Sequence, residues 1–233
     1  MQPPSTAHPG GGTHDVGAGF EDALPAAGRE LVLAAARRRT YRAGDVVVRQ
    51  GDDASSMYLI EHGRVLVRLE TAPGDSLILG LLGPGDVFGE LGIIGSQHER
   101  TATAEAVDDV SALALRAEDF QRLRRESIEV DDFVMTALAR QVERLSRLLS
   151  EALYVSVDRR VARRLYEAGR TFADRDAPVV VPLNQEQIAQ LVGTTRPTVN
   201  HSLKKLESLG LIELTRGQVR LLDVSGLLRR CGW

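Results

Sequence analysis

The sequence predicts an α+β chain: a small barrel or sandwich of short antiparallel strands, then one long helix, then a winged helix-turn-helix. Three patterns carry that prediction. Between Thr40 and Leu115, short β-branched runs alternate with turns rich in Gly and Asp. Over residues 128–154, apolar side chains recur every three or four positions without a helix breaker. Over residues 183–210, two amphipathic segments flank a glycine, and a hairpin pattern follows them.

Residues 1–19 are rich in Gly, Pro, Thr and His and lack apolar periodicity, so a disordered tail is expected. Residues 20–38 are expected to be helical, with Leu24, Leu31, Val32 and Ala35 on the buried face. Strands are expected over 46–49, 57–60, 65–69, 77–82, 87–88, 101–107 and 110–115. Turns such as Pro73-Gly74-Asp75 and Gly83-Pro84-Gly85-Asp86 combine glycine's tolerance of positive φ with an aspartate that bonds nearby backbone. A short helix over 117–125 precedes the long one over 128–154. On the long helix Val134, Leu138, Val142, Leu145, Leu149 and Ala152 form an apolar stripe that partly keeps a seven-residue step. A two-helix seam presents such a stripe, so a homodimer is expected; a helix packed only within its own chain is the competing reading. Asp158 is expected to cap a helix over 159–172, and 179–181 to form a short strand.

The chain has 233 residues, 43% hydrophobic and 26% charged, which suits one large domain or two ordinary ones with a real core. Its net charge of −3 hides an asymmetry. From Asp158 onward 13 basic residues face 8 acidic ones, whereas the first 157 residues hold 16 and 24. A basic back half suits a polyanionic partner, although scattered surface charge gives the same count. No apolar run reaches the ~20 residues of a membrane helix, and the start has no signal-peptide pattern. A cytoplasmic protein with no membrane partner is expected. Cys231 is the single cysteine, too few for a disulfide or thiolate cluster, and no metal site is expected. No Walker loop, HExxH, Gly-x-Ser-x-Gly or kinase pattern occurs, so no enzyme activity and no catalytic residue is expected.

Asn184 is a good N-cap, and Gln187 lies three residues on, the spacing of a capping box. Ile188, Ala189, Leu191 and Val192 give the first helix its apolar face, and Gly193 ends it. Thr194 or Thr195 can cap the next helix, with Pro197 in its first turn, where the missing N–H costs nothing. Val199, Leu203, Leu206 and Leu209 would face the core, leaving Arg196, Asn200, His201 and Lys204 on other faces. Two helices joined by a short Gly turn make the motif whose second helix enters the major groove of duplex DNA. Residues 211–214 and 218–222 flank Thr215-Arg216-Gly217 as a hairpin, hence a wing. A purely structural helical hairpin is the competing reading.

With these elements in order, residues 20–222 resemble the cyclic-AMP receptor protein/fumarate-nitrate regulator family of bacterial transcription factors. The resemblance rests on Phe88-Gly89-Glu90-Leu91, Glu99-Arg100-Thr101-Ala102, the long helix, and Gln187 through Arg196 leading into the recognition helix. It implies a cyclic-nucleotide-binding-type β-roll and four segments: a tail (1–19), an effector-sensing roll (20–127), a dimerisation helix (128–154) and a winged DNA-binding domain (155–233). It also implies a homodimer on a near-palindromic operator, with RNA polymerase as a further candidate partner. Arg196 would be the base-reading arginine, paired to guanine. Pro197 and His201 replace a glutamate and a second arginine of the cyclic-AMP receptor, so a different operator is expected. Gln185, Thr195, Thr198, Asn200 and Lys204 complete the DNA-facing set, with the threonines on phosphates.

In the roll, the resemblance implies that Arg100 pairs with a cyclic phosphate, Thr101 donates to it, and Gly89 and Glu90 offer backbone. Glu90 would also hold the ribose hydroxyl. A buried anion wants a guanidinium with small hydroxyl and backbone donors, so the chemistry is consistent. Arg100 has a second reading, a brace paired with Glu90 or Glu99 and no ligand. Where cyclic-AMP-responsive relatives place a Thr-Ser pair on the long helix, this chain has Leu145-Ser146, which leaves Ser146 alone for the base. A cyclic nucleotide (cyclic AMP or another) is the expected effector, with no tightly bound cofactor. The competing reading keeps the fold but is effector-independent or answers to a different ligand. Haem on His62 or His98 is a minor alternative.

Overall fold

The computed structural model describes residues 26–71, 74–95, 98–173 and 178–232. The expected tail (1–19), the first residues of the expected opening helix (20–25) and Pro73 lie outside them. The opening helix, α1, spans Ala26–Ala35 and buries Val32. It stops earlier than expected, because Arg37–Tyr41 forms β1, the edge of a sheet, paired antiparallel with β8 (Val110–Arg116). An edge strand of three arginines, a threonine and a tyrosine has no buried alternating face, so periodicity missed it.

The remaining strands of the roll follow the turn signals: β2 (Val46–Val48), β3 (Ser56–His62), β4 (Val65–Thr71), β5 (Asp75–Leu82), β6 (Val87–Phe88) and β7 (Thr103–Ala106). They form two four-stranded sheets, in the orders β1-β8-β3-β6 and β2-β7-β4-β5. Ile60, Val65, Leu82, Phe88, Ala106 and Ala112 are buried between them. The β5–β6 turn closes as its composition suggests: the Asp86 carboxylate accepts from the Gly83 N–H at 2.9 Å. A short helix, α2 (Glu90–Ile94), follows β6; its single turn is too brief to leave a helical period in the sequence.

Helix α3 (Ala117–Glu126) leads into α4 (Ile128–Tyr154), the long helix with the expected bounds. Val130 and Val134 bury into a second core with Val32, Met57, Leu115, Phe120 and Leu123. Val134 therefore does not stand on the apolar stripe assigned to a seam, and Leu138 is packed against the same core. Beyond that core the stripe is bare: Val142 is 63% exposed and Leu149 63%, and Met135 is 56% exposed one heptad before Val142. Leu145 and Ala152 are also exposed.

Helix α5 (Val157–Phe172) starts one residue before its expected cap. Ser156 takes the N-cap position, and Asp158 instead accepts from Ser202 Oγ at 2.7 Å and Lys205 Nζ at 2.6 Å. These contacts tie α5 to α7 (Arg196–Ser208), the second helix of the helix-turn-helix, whose first is α6 (Gln185–Val192). β10 (Ile212–Thr215) and β11 (Gln218–Leu221) form the expected hairpin, extended by β9 (Val180–Val181). A last helix, α8 (Val224–Cys231), capped by Asp223, had not been assigned from sequence. The core of this half includes Val161, Leu165, Ile188, Leu203, Ile212 and Leu227, and reaches across to Leu66 and Ile78 of the roll.

Candidate effector pocket and nucleic-acid interface

Gly89, Glu90, Arg100 and Thr101 converge on one cavity of about 80 Å³ at the side of the roll. Gly89 adopts φ 78°, which favours glycine, and a Cβ there would lie 2.5 Å from Arg100 Nη1 and push the guanidinium aside. Arg100 is 6% exposed; it donates from Nη1 to the Gly89 carbonyl at 3.1 Å and lies over the Tyr58 ring. Among the described residues it forms no ion pair within 4.0 Å, so the brace to Glu90 or Glu99 is not made. Glu90 is 4% exposed. Burial holds its carboxyl above the ordinary carboxylate value, against the opposing pull of its own N–H and of Arg144 and Arg100. Burial likewise lowers Arg100 against the favourable fields of Tyr58, Asp52 and Glu90. Thr101 is exposed on the cavity lining. A buried, unpaired guanidinium beside backbone and hydroxyl groups is the chemistry of an anion site.

The long helix closes the pocket with Gln141 and Arg144, neither of which the resemblance assigns to it. They sit three positions apart on one helix face, a polar pair beside the apolar stripe, which is the signal that could have found them. Ser146 is exposed on α4 and does not line the cavity within its own chain.

At the other end, the capping box is complete: Asn184 Oδ1 accepts from the Gln187 N–H, and Gln187 Oε1 accepts from the Asn184 N–H, each at 2.9 Å. Gly193 ends α6 at φ 70°, the left-handed value that turns the chain into α7. Thr195 occupies the α7 N-cap, but its hydroxyl pairs with Thr198 Oγ1 at 2.9 Å instead of capping. Arg196, Thr198, His201 and Lys204 are exposed, and Asn200 is half-buried, accepting from Gln185 Nε2 at 3.4 Å. Arg196 and Gln185 line a groove of about 400 Å³ with the wing. Arg216, at the wing turn, joins that groove; it was visible in the sequence as the basic residue of the hairpin turn but had not been assigned. No described helix is long and apolar enough to cross a membrane.

Comparison with known proteins agrees with both ends. Residues 38–127 match the cyclic nucleotide-binding domain, and residues 159–230 match the Crp-like helix-turn-helix domain. The CRP-like cAMP-activated global transcriptional regulator of Mycobacterium tuberculosis is 30% identical over 190 residues, spanning 80% of this chain and 84% of that protein. The cyclic AMP receptor protein of Thermus thermophilus is 31% identical over 196 residues, 84% and 88% of the two chains. Among solved structures, a CRP/FNR-family transcriptional regulator of Thermus thermophilus superposes with a TM-score of 0.73 at 25% identity, covering 84% of this chain and 99% of that one. The c-di-GMP responsive global regulator of Xanthomonas campestris gives 0.72 at 25% identity, with the same coverage. These relatives are transcription regulators. With its β-roll, its Arg100 cavity and its winged helix-turn-helix, the chain belongs to the cyclic-AMP receptor protein/fumarate-nitrate regulator family of transcription regulators.

Proposed function

We propose that this regulator works as a homodimer on a near-palindromic DNA site and is gated by a cyclic nucleotide held at the roll. The observation that carries the reading is the double use of α4. Its Gln141 and Arg144 wall the cavity, while Met135, Val142 and Leu149 stand bare at seven-residue steps on the same helix. A ligand in that cavity therefore touches the helix that pairs two copies, and the helix leads directly into the DNA-binding half. Arg100, Gly89, Glu90 and Thr101 would hold the cyclic phosphate and ribose, and Ser146 would reach a base only from across the seam. Arg196 would read a base, with Thr195, Thr198, Lys204, Asn200, His201 and Gln185 supporting it and RNA polymerase a further partner. The relatives named for cAMP activation or c-di-GMP response support a nucleotide effector.

The test is selection from random duplexes at low salt, with and without 3′,5′-cyclic AMP or cyclic GMP, alongside sedimentation of the free protein. The expected product is an inverted repeat whose half-sites are about one helical turn, ~34 Å, apart. No enriched sequence, or a monomer at micromolar concentration, overturns the reading. Enrichment unaffected by nucleotide, with no calorimetric heat, makes the roll a fixed scaffold and the regulator constitutive.

A further inference from the structure

The cavity holds a second cation that a cyclic phosphate at Arg100 leaves unused. Arg144 reaches from α4 to β5, where a Cβ on Gly80 would stand 2.5 Å from its Nη1. Each guanidinium thus rests over a glycine, Arg100 over Gly89 and Arg144 over Gly80, and a larger residue at either place would displace it. The Arg144 Nε is buried without a hydrogen-bond partner, and among the described residues no ion pair of Arg144 lies within 4.0 Å. Burial lowers its pKa from the ordinary arginine value, against the favourable fields of Asp86 and Glu90. A buried donor without an acceptor is a costly arrangement, and a guanidinium held at the cavity wall with no carboxylate beside it is open to a ligand's acceptors.

We propose that Arg144 is the base-reading residue of the pocket and selects a guanine-containing cyclic nucleotide over an adenine-containing one, an inference that rests on the cyclic-nucleotide reading above. Guanidinium groups only donate. Guanine presents two adjacent acceptors, O6 and N7, which match the fork; adenine presents N7 beside the N6 amine, which sets donor against donor. With Arg100 and Glu90 engaged by the phosphate and ribose, the base is the part of the ligand left for α4. The flexible stem of Arg144 lets its head leave Gly80 for the base edge. Gln141, on the same face, is the competitor, because a carboxamide pairs with adenine N6 and N7.

The experiment is calorimetric titration of the full-length protein with 3′,5′-cyclic AMP, 3′,5′-cyclic GMP and cyclic di-GMP. A guanine ligand is expected to bind tighter than cyclic AMP by about 5- to 150-fold, the range of one bidentate base contact. Comparing the two guanine ligands identifies whether the base arrives on a mononucleotide or a dinucleotide. Arg144→Gln should invert the preference toward cyclic AMP, and Arg144→Lys, which keeps the charge but loses the fork, should abolish discrimination; thermal melts confirm that both fold. Cyclic AMP binding the wild type as tightly as either guanine ligand, or an unchanged ratio in Arg144→Gln, overturns the inference and leaves the cyclic-nucleotide reading standing. No heat with any of the three overturns both.

Discussion

Arg196 and Glu90 show how differently two candidate site residues can be embedded. Arg196 stands exposed at the first turn of α7, so replacing it removes a contact without disturbing the fold. Arg196→Ala is expected to weaken operator binding by about 1–3 kcal/mol and to relax preference at one base pair, read from a panel of operator variants. Uniform weakening on every sequence would reassign it to a phosphate. Glu90 is the opposite case, a carboxylate kept by burial above its ordinary value. A folded-state value raised above the unfolded one favours the native state most at low pH, and that benefit is lost as pH rises through the folded value. Glu90→Gln should therefore raise the melting temperature of the ligand-free protein most at neutral pH, and the gain should shrink as pH falls toward the carboxylate range. A calorimetric pH series checks it, and a gain that does not change with pH would refute it.

At the scale of elements, α4 divides into a part that belongs to its own chain and a part left bare. Val134 is 3% exposed within the core formed with Phe120 and Leu123, whereas Leu149 is 63% exposed. Val134→Ala should cost on the order of 2 kcal/mol of fold stability in urea unfolding. Leu149→Glu should instead shift the sedimentation equilibrium toward monomer with little change in helicity, and an unshifted dimer would move the seam elsewhere. Spacing could predict the helix and its ends but not this division, because a residue facing α3 and one facing a partner repeat at the same interval. The same reasoning separates the rest of what was legible. Turns built on Gly and Asp marked the strands of the roll, and Asn184, Gln187 and Gly193 marked the first helix and turn of the helix-turn-helix, because each feature is decided locally; Leu209, expected on the core face, is instead 45% exposed just past the end of α7. Strand β1 was hidden by its arginines, and the contact of Arg144 with the bare backbone of Gly80 by the 64 positions between them.

For the whole molecule, the two halves are joined by more than the α4–α5 bend. Glu151, 2% exposed near the end of α4, accepts from Arg163 Nη1 at 2.6 Å and pairs with Arg164; Arg163 also donates to the Cys231 carbonyl at 2.8 Å. This network clamps α4, α5 and α8. Glu151→Ala removes the carboxylate shared by two buried guanidiniums, although Arg164 keeps Glu167 at 2.6 Å and Arg163 keeps the Cys231 carbonyl, and is expected to cost about 3 kcal/mol, seen as a fall in melting temperature. A fall no greater than that of a surface substitution would mean that water replaces the carboxylate. A second junction lies across the front, where Arg64 donates to the Thr171 carbonyl at 2.9 Å and stacks on Phe172.

The packing of β5 against α6 bears on how far such regulators are modular. Ile78 belongs to the core of the DNA-binding half, Leu77 rests 3.8 Å from where a Cβ on Gly193 would stand, and Gly80 of the same strand receives Arg144. A chimaera cut between α4 and α5, joining this sensor to another regulator's reading head, would inherit Leu66, Leu77 and Ile78 without the surface they fit. Such hybrids should express poorly or respond weakly until those three side chains are exchanged along with the head. For any such exchange, β5 belongs with the part that reads DNA.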